Sequence, residues 1–599
     1  MCLFINIFII VLPYKNIYGI MLYVKTLSGR IKMIVNRIIS AFAAVVCFVT
    51  SLFGVNDADK PVARQYEISG SGSCNTSDGR ISIHDPSVIQ DKDGTYYIFG
   101  THGCAAKSDD MINWTSFACG VHDNNRMLVQ EGRTLRETLK EPFSWTDAYQ
   151  LTNNYNENNL QTNIWAADVI YNEKMGKYCY YASSSVWGTP GSVIWFATSD
   201  NIEGPYEYED AIVYSGFNNK TNNGKYYSRV NSLHYTFTNI SKLFKKGVFT
   251  KKELQNAPWF NENGDYDHTV YPNCIDPALF YDADSKLWMA YGSYFGGTYI
   301  MPMVEKTGLP DYDYMREHDG YDLYFGKKIV ATTLDNELSG EGAYIEYDKT
   351  SGYYYLFISY HGLNALGGYN IREYRSLNPD GPFVDASGNS ATDPVNTGTK
   401  LFGNYKFDCL DTAYLASGHS SCLTTDDGKM FQVYHTRLNV GHDGYETRIH
   451  QMARTENGWT VVLPFEYRGE TIENRAYSVN EICGEYEFIN HGSISNGCVD
   501  WADVEKIISP TQTITINADG TISGLKVYES VKENTAVSSK DVSGNWSIKE
   551  NSCFITFVID DTTYEGVICK QYDESKEKTE KFVFSAIGSN NQCIWGVKR

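Results

Sequence analysis

Basic residues are scarce along this chain: 51 Lys and Arg stand against 72 Asp and Glu, a formal charge of −21. Such a surface repels a phosphate backbone or an anionic bilayer, which argues against nucleic acid and membrane lipid as partners and favours a neutral substrate. Cysteine offers no metal cluster. Twelve of the 14 Cys lie beyond residue 60 at scattered spacings without a Cys-x-x-Cys pair, a pattern that admits disulfides outside the cell but leaves their pairing open. Long apolar runs are confined to the N-terminus. Ile38 to Val55 is uncharged, follows Arg30, Lys32 and Arg37, and ends before Asn56-Asp57-Ala58-Asp59-Lys60, so residues 1–60 read as a signal peptide or signal anchor. A weaker apolar stretch precedes Pro13 and leaves Met21 or Met33 as alternative starts, while bulky Val46 argues against lipidation at Cys47. Export is expected.

What the chain does have is size and aromatic surface. Its 599 residues, 42% hydrophobic, should divide into more than one domain. The 46 Tyr and 11 Trp are the residues sugar clefts use, because an aromatic face packs on the apolar face of a sugar while hydroxyls are bonded at the rim. All-β proteins are also rich in Tyr, and composition alone leaves both readings open.

An imperfect repeat organises the chain. HDPSVIQDKDGTYYIFGT from His84, WAADVIYNEKMGKYCYYAS from Trp165, IDPALFYDADSKLWMAYGS from Ile275, EGAYIEYDKTSGYYYLFIS from Glu341 and GHSSCLTTDDGKMFQVYHT from Gly418 share one anatomy. Each is a polar residue, a short apolar strand, an acidic or Gly turn and a second strand dense in Tyr, Phe and Val, which is a β-hairpin. From leading residue to turn the count is 9 for Asp85 to Gly94, 8 for Asp168 to Gly176, 9 for Asp276 to Ser285, 11 for Glu341 to Gly352 and 9 for His419 to Gly428. Successive leaders are 83, 108, 65 and 78 positions apart, room for a four-stranded sheet each. The pattern predicts an all-β chain with a five-bladed β-propeller over residues 61–475, whose innermost strands bring Asp85, Asp168, Asp276, Glu341 and His419 to one mouth of a central channel. A single such acid would be an ordinary turn or cap residue; five copies in register weaken that reading. The DKDG turn at Asp91 lacks the further ligands of a helix-loop-helix calcium site. Val121 to Gln161 and Tyr214 to Tyr271 are polar insertions expected to shape a cleft. From Ser478 the chain begins again with alternating strands, predicting a small antiparallel β-barrel or sandwich over 478–599 with an accessory role.

These motifs resemble glycoside hydrolase family 43, in particular its two-domain extracellular endo-arabinanases. HDPSVI, WAADVIY, NCIDPALFYDADSKLWMAYGSYFGG, EGAYI, GGYNIREYRS, GHSS, YHTR, GWTVVLPFEYRGE and the GEYEFINHG start of the second domain match in order. The family commonly has Pro where Ala167 and Ala343 stand. The resemblance implies an inverting cut of internal α-1,5-arabinofuranosidic bonds of arabinan, with Asp85 as general base, Glu341 as general acid and Asp276 as the carboxylate that orients the acid and raises its pKa. It also implies that His419 holds a central calcium ion. Inversion needs one carboxylic acid and one carboxylate roughly 6.5–9.5 Å apart on opposite faces of the sugar, a gap that residues on different blades can span. Trp165 is a candidate stacking platform with blade packing as its plainer reading, and Asp168 a candidate substrate contact whose part is unspecified, because the mechanism already has three carboxylates. The competing readings are an exo-acting β-xylosidase or α-L-arabinofuranosidase on the same scaffold, and a catalytically silent carbohydrate-binding propeller. A sialidase-like reading of TTDDGKMF at Thr424 lacks the arginine cluster that such chemistry needs.

Overall fold

A computed structural model describes residues 74–76, 78–153, 160–220, 233–332, 340–472, 475–492, 497–529 and 538–599. The apolar segment expected to direct export lies outside them.

Each of the five repeats folds as the hairpin its turn chemistry predicts, and each hairpin opens a sheet of its own. Blade 1 runs Ser87–Gln90, Tyr96–Gly100, Cys104–Ser108 and Thr115–Ala118. Blade 2 runs Trp165–Asn172, Lys177–Ser185, Ser192–Ser199 and Glu207–Tyr214. Blade 3 runs Ala278–Tyr281, Leu287–Ser293 and Gly297–Val304, against which Leu309–Pro310 and Lys327–Val330 both pair. Blade 4 runs Gly340–Asp348, Tyr353–Tyr360, Asn370–Ser376 and Thr399–Lys400. Blade 5 runs Tyr414–Thr424, Met430–Leu438, Tyr445–Arg454 and Thr460–Glu466. The first strands of successive blades touch one another, and blade 5 touches blade 1, so the five close into a ring. Blades bury both faces against their neighbours, which is why Ser192–Ser199 is buried at every residue instead of alternating. The aromatic wealth goes largely there. Tyr180 and Trp195 pack with Phe99 between blades 1 and 2, and Trp288 packs with Tyr354 and Leu356 between blades 3 and 4.

The ring is closed by the chain leading into blade 1. Thr447 donates its amide to the Ile81 carbonyl at 3.0 Å, and its hydroxyl accepts from the Ile83 amide at 3.1 Å. Ser82 Oγ donates to the Tyr445 carbonyl at 2.9 Å, and Arg80 forks onto Glu466 of the last strand.

The insertions are less loop-like than their polarity predicts. Leu135–Thr138 and Lys140–Thr152 are helical, as are Ile240–Lys245 and Lys251–Gln255. Thr134 with Glu137, and Thr250 with Glu253, form capping boxes that start two of these helices. Phe143 and Trp145 pack the first insertion onto blade 2, while Phe217, Trp259 and Tyr266 pack the second onto Tyr324 and Phe325. Beyond the ring, eight strands from Gly484–Asn490 to Cys593–Lys598 close into an antiparallel barrel. Cys104 and Cys119 form a disulfide in blade 1.

Candidate active site

At one mouth of the channel the blade leaders share an unusual backbone. Asp85, Asp276 and His419 have φ of 54°, 57° and 45°, and the matching positions in blades 2 and 4 are Ala166 at 45° and Gly342 at 62°. Left-handed backbone at a non-Gly residue is uncommon, and Asp and His tolerate it better than β-branched residues. Asp85, Asp276 and His419 all line the cavity at this mouth. Blades 2 and 4 carry a bulge at this point, between Trp165 and Asp168 and between Glu341 and Tyr344. A Cβ on Gly342 would come within 2.9 Å of the His419 ring, so glycine there lets blades 4 and 5 approach.

A cavity of about 400 Å³ opens at this mouth, lined among others by Asp85, Asp276, Glu341, His419, Trp165 and Trp187. Five of the six residues expected at the site are therefore brought together. Asp168 is not. The blade 2 bulge puts Ala166 at the mouth and sets Asp168 two residues deeper, where Ser87 Oγ donates to its Oδ1 at 2.7 Å and the Leu279 amide to its Oδ2 at 2.6 Å. It ties blades 1, 2 and 3 together and lines a different cavity of the channel; burial pushes its carboxyl up to about 6.

Asp85 is surrounded by donors. Thr101 Oγ1 donates to its Oδ2, and the Thr101 hydroxyl in turn accepts from the Ala166 amide at 2.9 Å. His84 Nδ1 lies 2.6 Å and His419 Nδ1 3.0 Å from Asp85 Oδ1. Burial opposes ionisation, but the His419 charge and the hydrogen bonds from His419 and His84 outweigh it and hold the carboxyl well below its ordinary range. The tautomers follow from the network. Arg437 Nη2 donates to His84 Nε2 at 3.1 Å, which leaves the His84 proton on Nδ1, facing Asp85. The Asp85 amide donates to His435 Nδ1 at 3.3 Å, which puts the His435 proton on Nε2, a buried atom with no hydrogen-bond partner among the described residues. His84 and His435 stack at 3.9 Å.

Glu341 meets the opposite environment. Burial first, then the nearby Asp276 charge, push its carboxyl up to about 8, while His419 and the Tyr369 hydroxyl pull the other way. Asp276 is itself pushed up to about 6 by burial and accepts from the Gly342 amide, next to Glu341, at 3.1 Å. Two buried neighbouring carboxyls do not both ionise readily, so a proton is retained between them. Burial disfavours a charged His419, yet Asp85 and Asp276 hold its imidazole up at about 9.

His84, Thr101, Tyr294, Tyr369, His435, Arg437 and Trp187 stand at the site without having been expected there from the repeat pattern. His435 and Arg437 stand two apart in YHTR on Met430–Leu438, a spacing that puts both on one face of the strand. Trp187, 61% exposed, meets Trp165 edge-on at 5.9 Å on the cavity rim.

Comparison with known proteins agrees with this layout. Residues 219–460 match the model of the glycosyl hydrolases family 43, and 464–596 match its C-terminal lipocalin-like domain. The chain is 34% identical to an extracellular endo-α-(1→5)-L-arabinanase of Thermotoga petrophila over 86% of its own length and 93% of the relative's. It belongs to glycoside hydrolase family 43. A second relative, extracellular endo-α-(1→5)-L-arabinanase 2 of Bacillus subtilis, is 32% identical over 86% of this family 43 chain and 93% of that protein. The crystal structure of the Thermotoga petrophila endo-1,5-α-L-arabinanase superposes with a TM-score of 0.66 at 33% identity, covering 88% of this family 43 chain and 100% of the other.

Proposed function

We propose that this family 43 hydrolase is a secreted enzyme that cuts internal α-1,5-L-arabinofuranosidic bonds of arabinan with inversion. The observation that carries the reading is the opposite displacement of two carboxyls in one cavity, Asp85 held well below its usual range and Glu341 pushed up to about 8. At neutral pH one is a base and the other an acid. Asp85 takes a proton from water as the water oxygen bonds to the anomeric carbon; Glu341 gives its proton to the departing glycosidic oxygen as that bond breaks. Asp276, behind Glu341, keeps the acid protonated until that step. Trp165 and Trp187 offer the apolar faces on which flanking sugars stack. The relatives named above act on arabinan by their printed names, and both are called extracellular.

His419 is the residue we assign to calcium. Its imidazole lines a cavity whose acids Asp85 and Asp276 attract a cation, and the cavity has room for the waters that would complete an oxygen-rich shell. This donor chemistry fits an ion with one protein nitrogen and mostly water ligands; to take it up, the imidazole would release the proton that Asp85 and Asp276 otherwise hold on it, and the ion would supply the positive charge beside Asp85 in its place.

Sizing of the products from debranched arabinan tests the substrate and the mode of attack together. Short oligosaccharides should appear in the first minutes, and arabinose as the sole early product would overturn the internal cut. Proton NMR of the first product should show the anomer opposite to the substrate's configuration.

A further inference from the structure

Two tyrosine hydroxyls meet at one oxygen of Glu341. Tyr369 Oη donates to Oε1 at 2.9 Å, and Tyr294 Oη lies 3.2 Å from the same atom. Tyr294 also donates to the carbonyl of His361. The connection 361–369, between Tyr353–Tyr360 and Asn370–Ser376, therefore reaches the acid from both of its ends. Within that connection Gly362 donates to the Gly367 carbonyl at 3.0 Å, Gly367 to that of Asn364 at 2.8 Å and the Leu366 amide to Asn364 Oδ1 at 3.1 Å, while Asp443 of blade 5 accepts from the Ala365 amide at 2.7 Å.

Further support comes from outside the propeller. The Cys498 amide, beyond the ring in sequence, donates to the Leu366 carbonyl at 2.8 Å, and Gly497 bridges to Gly367. Val504 and Ile507, on the short helical turn Trp501–Ile507, share one buried apolar cluster with Ala365, Tyr369 and Leu415. Asn404 fastens this turn by donating from Nδ2 to the Ile507 carbonyl at 3.0 Å.

We propose that Tyr369 is a positioning residue that anchors Oε1 of Glu341, so that Oε2 presents the proton to the leaving group, and that segment 497–508 of the C-terminal domain is the brace that keeps Tyr369 there. The inference rests on the reading of Glu341 as the acid. A buried tyrosine has two torsions, both fixed by packing; a hydroxyl so held removes rotational freedom from the carboxyl it bonds, and small losses of alignment at a reacting group cost large factors in rate. The second domain then enters catalysis through packing and needs no sugar contact to do so.

The test uses the full chain with two substrates, arabinan and a 4-nitrophenyl α-L-arabinofurano-oligosaccharide long enough for the wild type to release nitrophenol from it. Tyr369→Phe deletes only the hydroxyl. It should lower kcat on arabinan about 30-fold, a part of the 100- to 10,000-fold general acids supply, with KM within about twofold. Nitrophenol departs without acid help, so release should fall less than about threefold. Val504→Ala/Ile507→Ala, checked for native circular dichroism, should show the same split and add little when combined with Tyr369→Phe. Equal losses on both substrates in Tyr369→Phe would overturn the positioning role, and a double variant that folds but loses both substrates equally, or neither, would overturn the brace. Glu341→Gln separates the layers: if it shows the split and Tyr369→Phe does not, only the positioning fails, and if it shows none, the acid assignment itself is wrong.

Discussion

Three side-chain donors converge on Asp85, whereas Glu341 is buried near a second carboxyl, and from this difference the consequences of single substitutions follow. Glu341→Gln removes the proton donor and should lower kcat on arabinan by about 100- to 10,000-fold, while an aryl substrate suffers far less. Asp85→Asn removes water activation and should lower both substrates alike. Rates on the two substrates, measured side by side, distinguish the roles. The pH dependence has a definite sign. Glu341 must carry a proton, so kcat/KM should fall as pH rises through about 8. Asp85 must be ionised, and its well-lowered range keeps the acid limb below the ordinary carboxylate region. A profile already falling steeply between pH 6 and 7 on its alkaline side would contradict the environment described for Glu341.

Among elements, the innermost strand of blade 2 shows how far a repeat can be read from residues alone. The five hairpins, their turns and their order were legible because Gly and Asp turns and strand-dense Tyr and Val runs are local signals. The leaders of blades 1, 3 and 5 were legible as well, at a common spacing of 9 to the turn. Asp168, at a spacing of 8, departs from that count, and its displacement from the mouth by a bulge depends on pairing with Lys177–Ser185 that no local pattern encodes. The helices in the insertions did carry a local signal, the Thr-x-x-Glu of their capping boxes, which an emphasis on polarity hid. Asp168→Asn should behave as an inter-blade defect: its amide cannot accept from both Ser87 and Leu279, so stability should drop by about 1–3 kcal/mol while activity of the folded fraction stays near wild type. Chemical denaturation alongside an active-site-normalised assay reads both. Trp187→Ala, by contrast, removes an exposed ring from the rim and should raise KM for long arabinan with little change in melting temperature.

For the whole molecule, charge and closure matter most. If calcium sits at His419 as we assign it, chelation should lower activity and His419→Ala should bind less of the ion, as atomic absorption on dialysed protein would show, while both proteins keep their far-UV spectrum. Equal calcium in mutant and wild type would remove His419 from the site. The closing contacts have a further consequence, in time. Residues 80–83 find their partners 363 to 386 positions later, and Asp85, two residues on from that lace, gathers His419 and His435 only from the last blade. Contacts so distant along the chain are slow to form. A nascent or refolding chain can thus complete four blades and still own a base with none of its imidazole partners from blade 5, so the enzyme stays inert until its ends meet. Stopped-flow refolding should show hydrolysis returning with the slowest tryptophan-fluorescence phase and never ahead of it, and Arg80→Ala should delay that return more than it depresses the final activity.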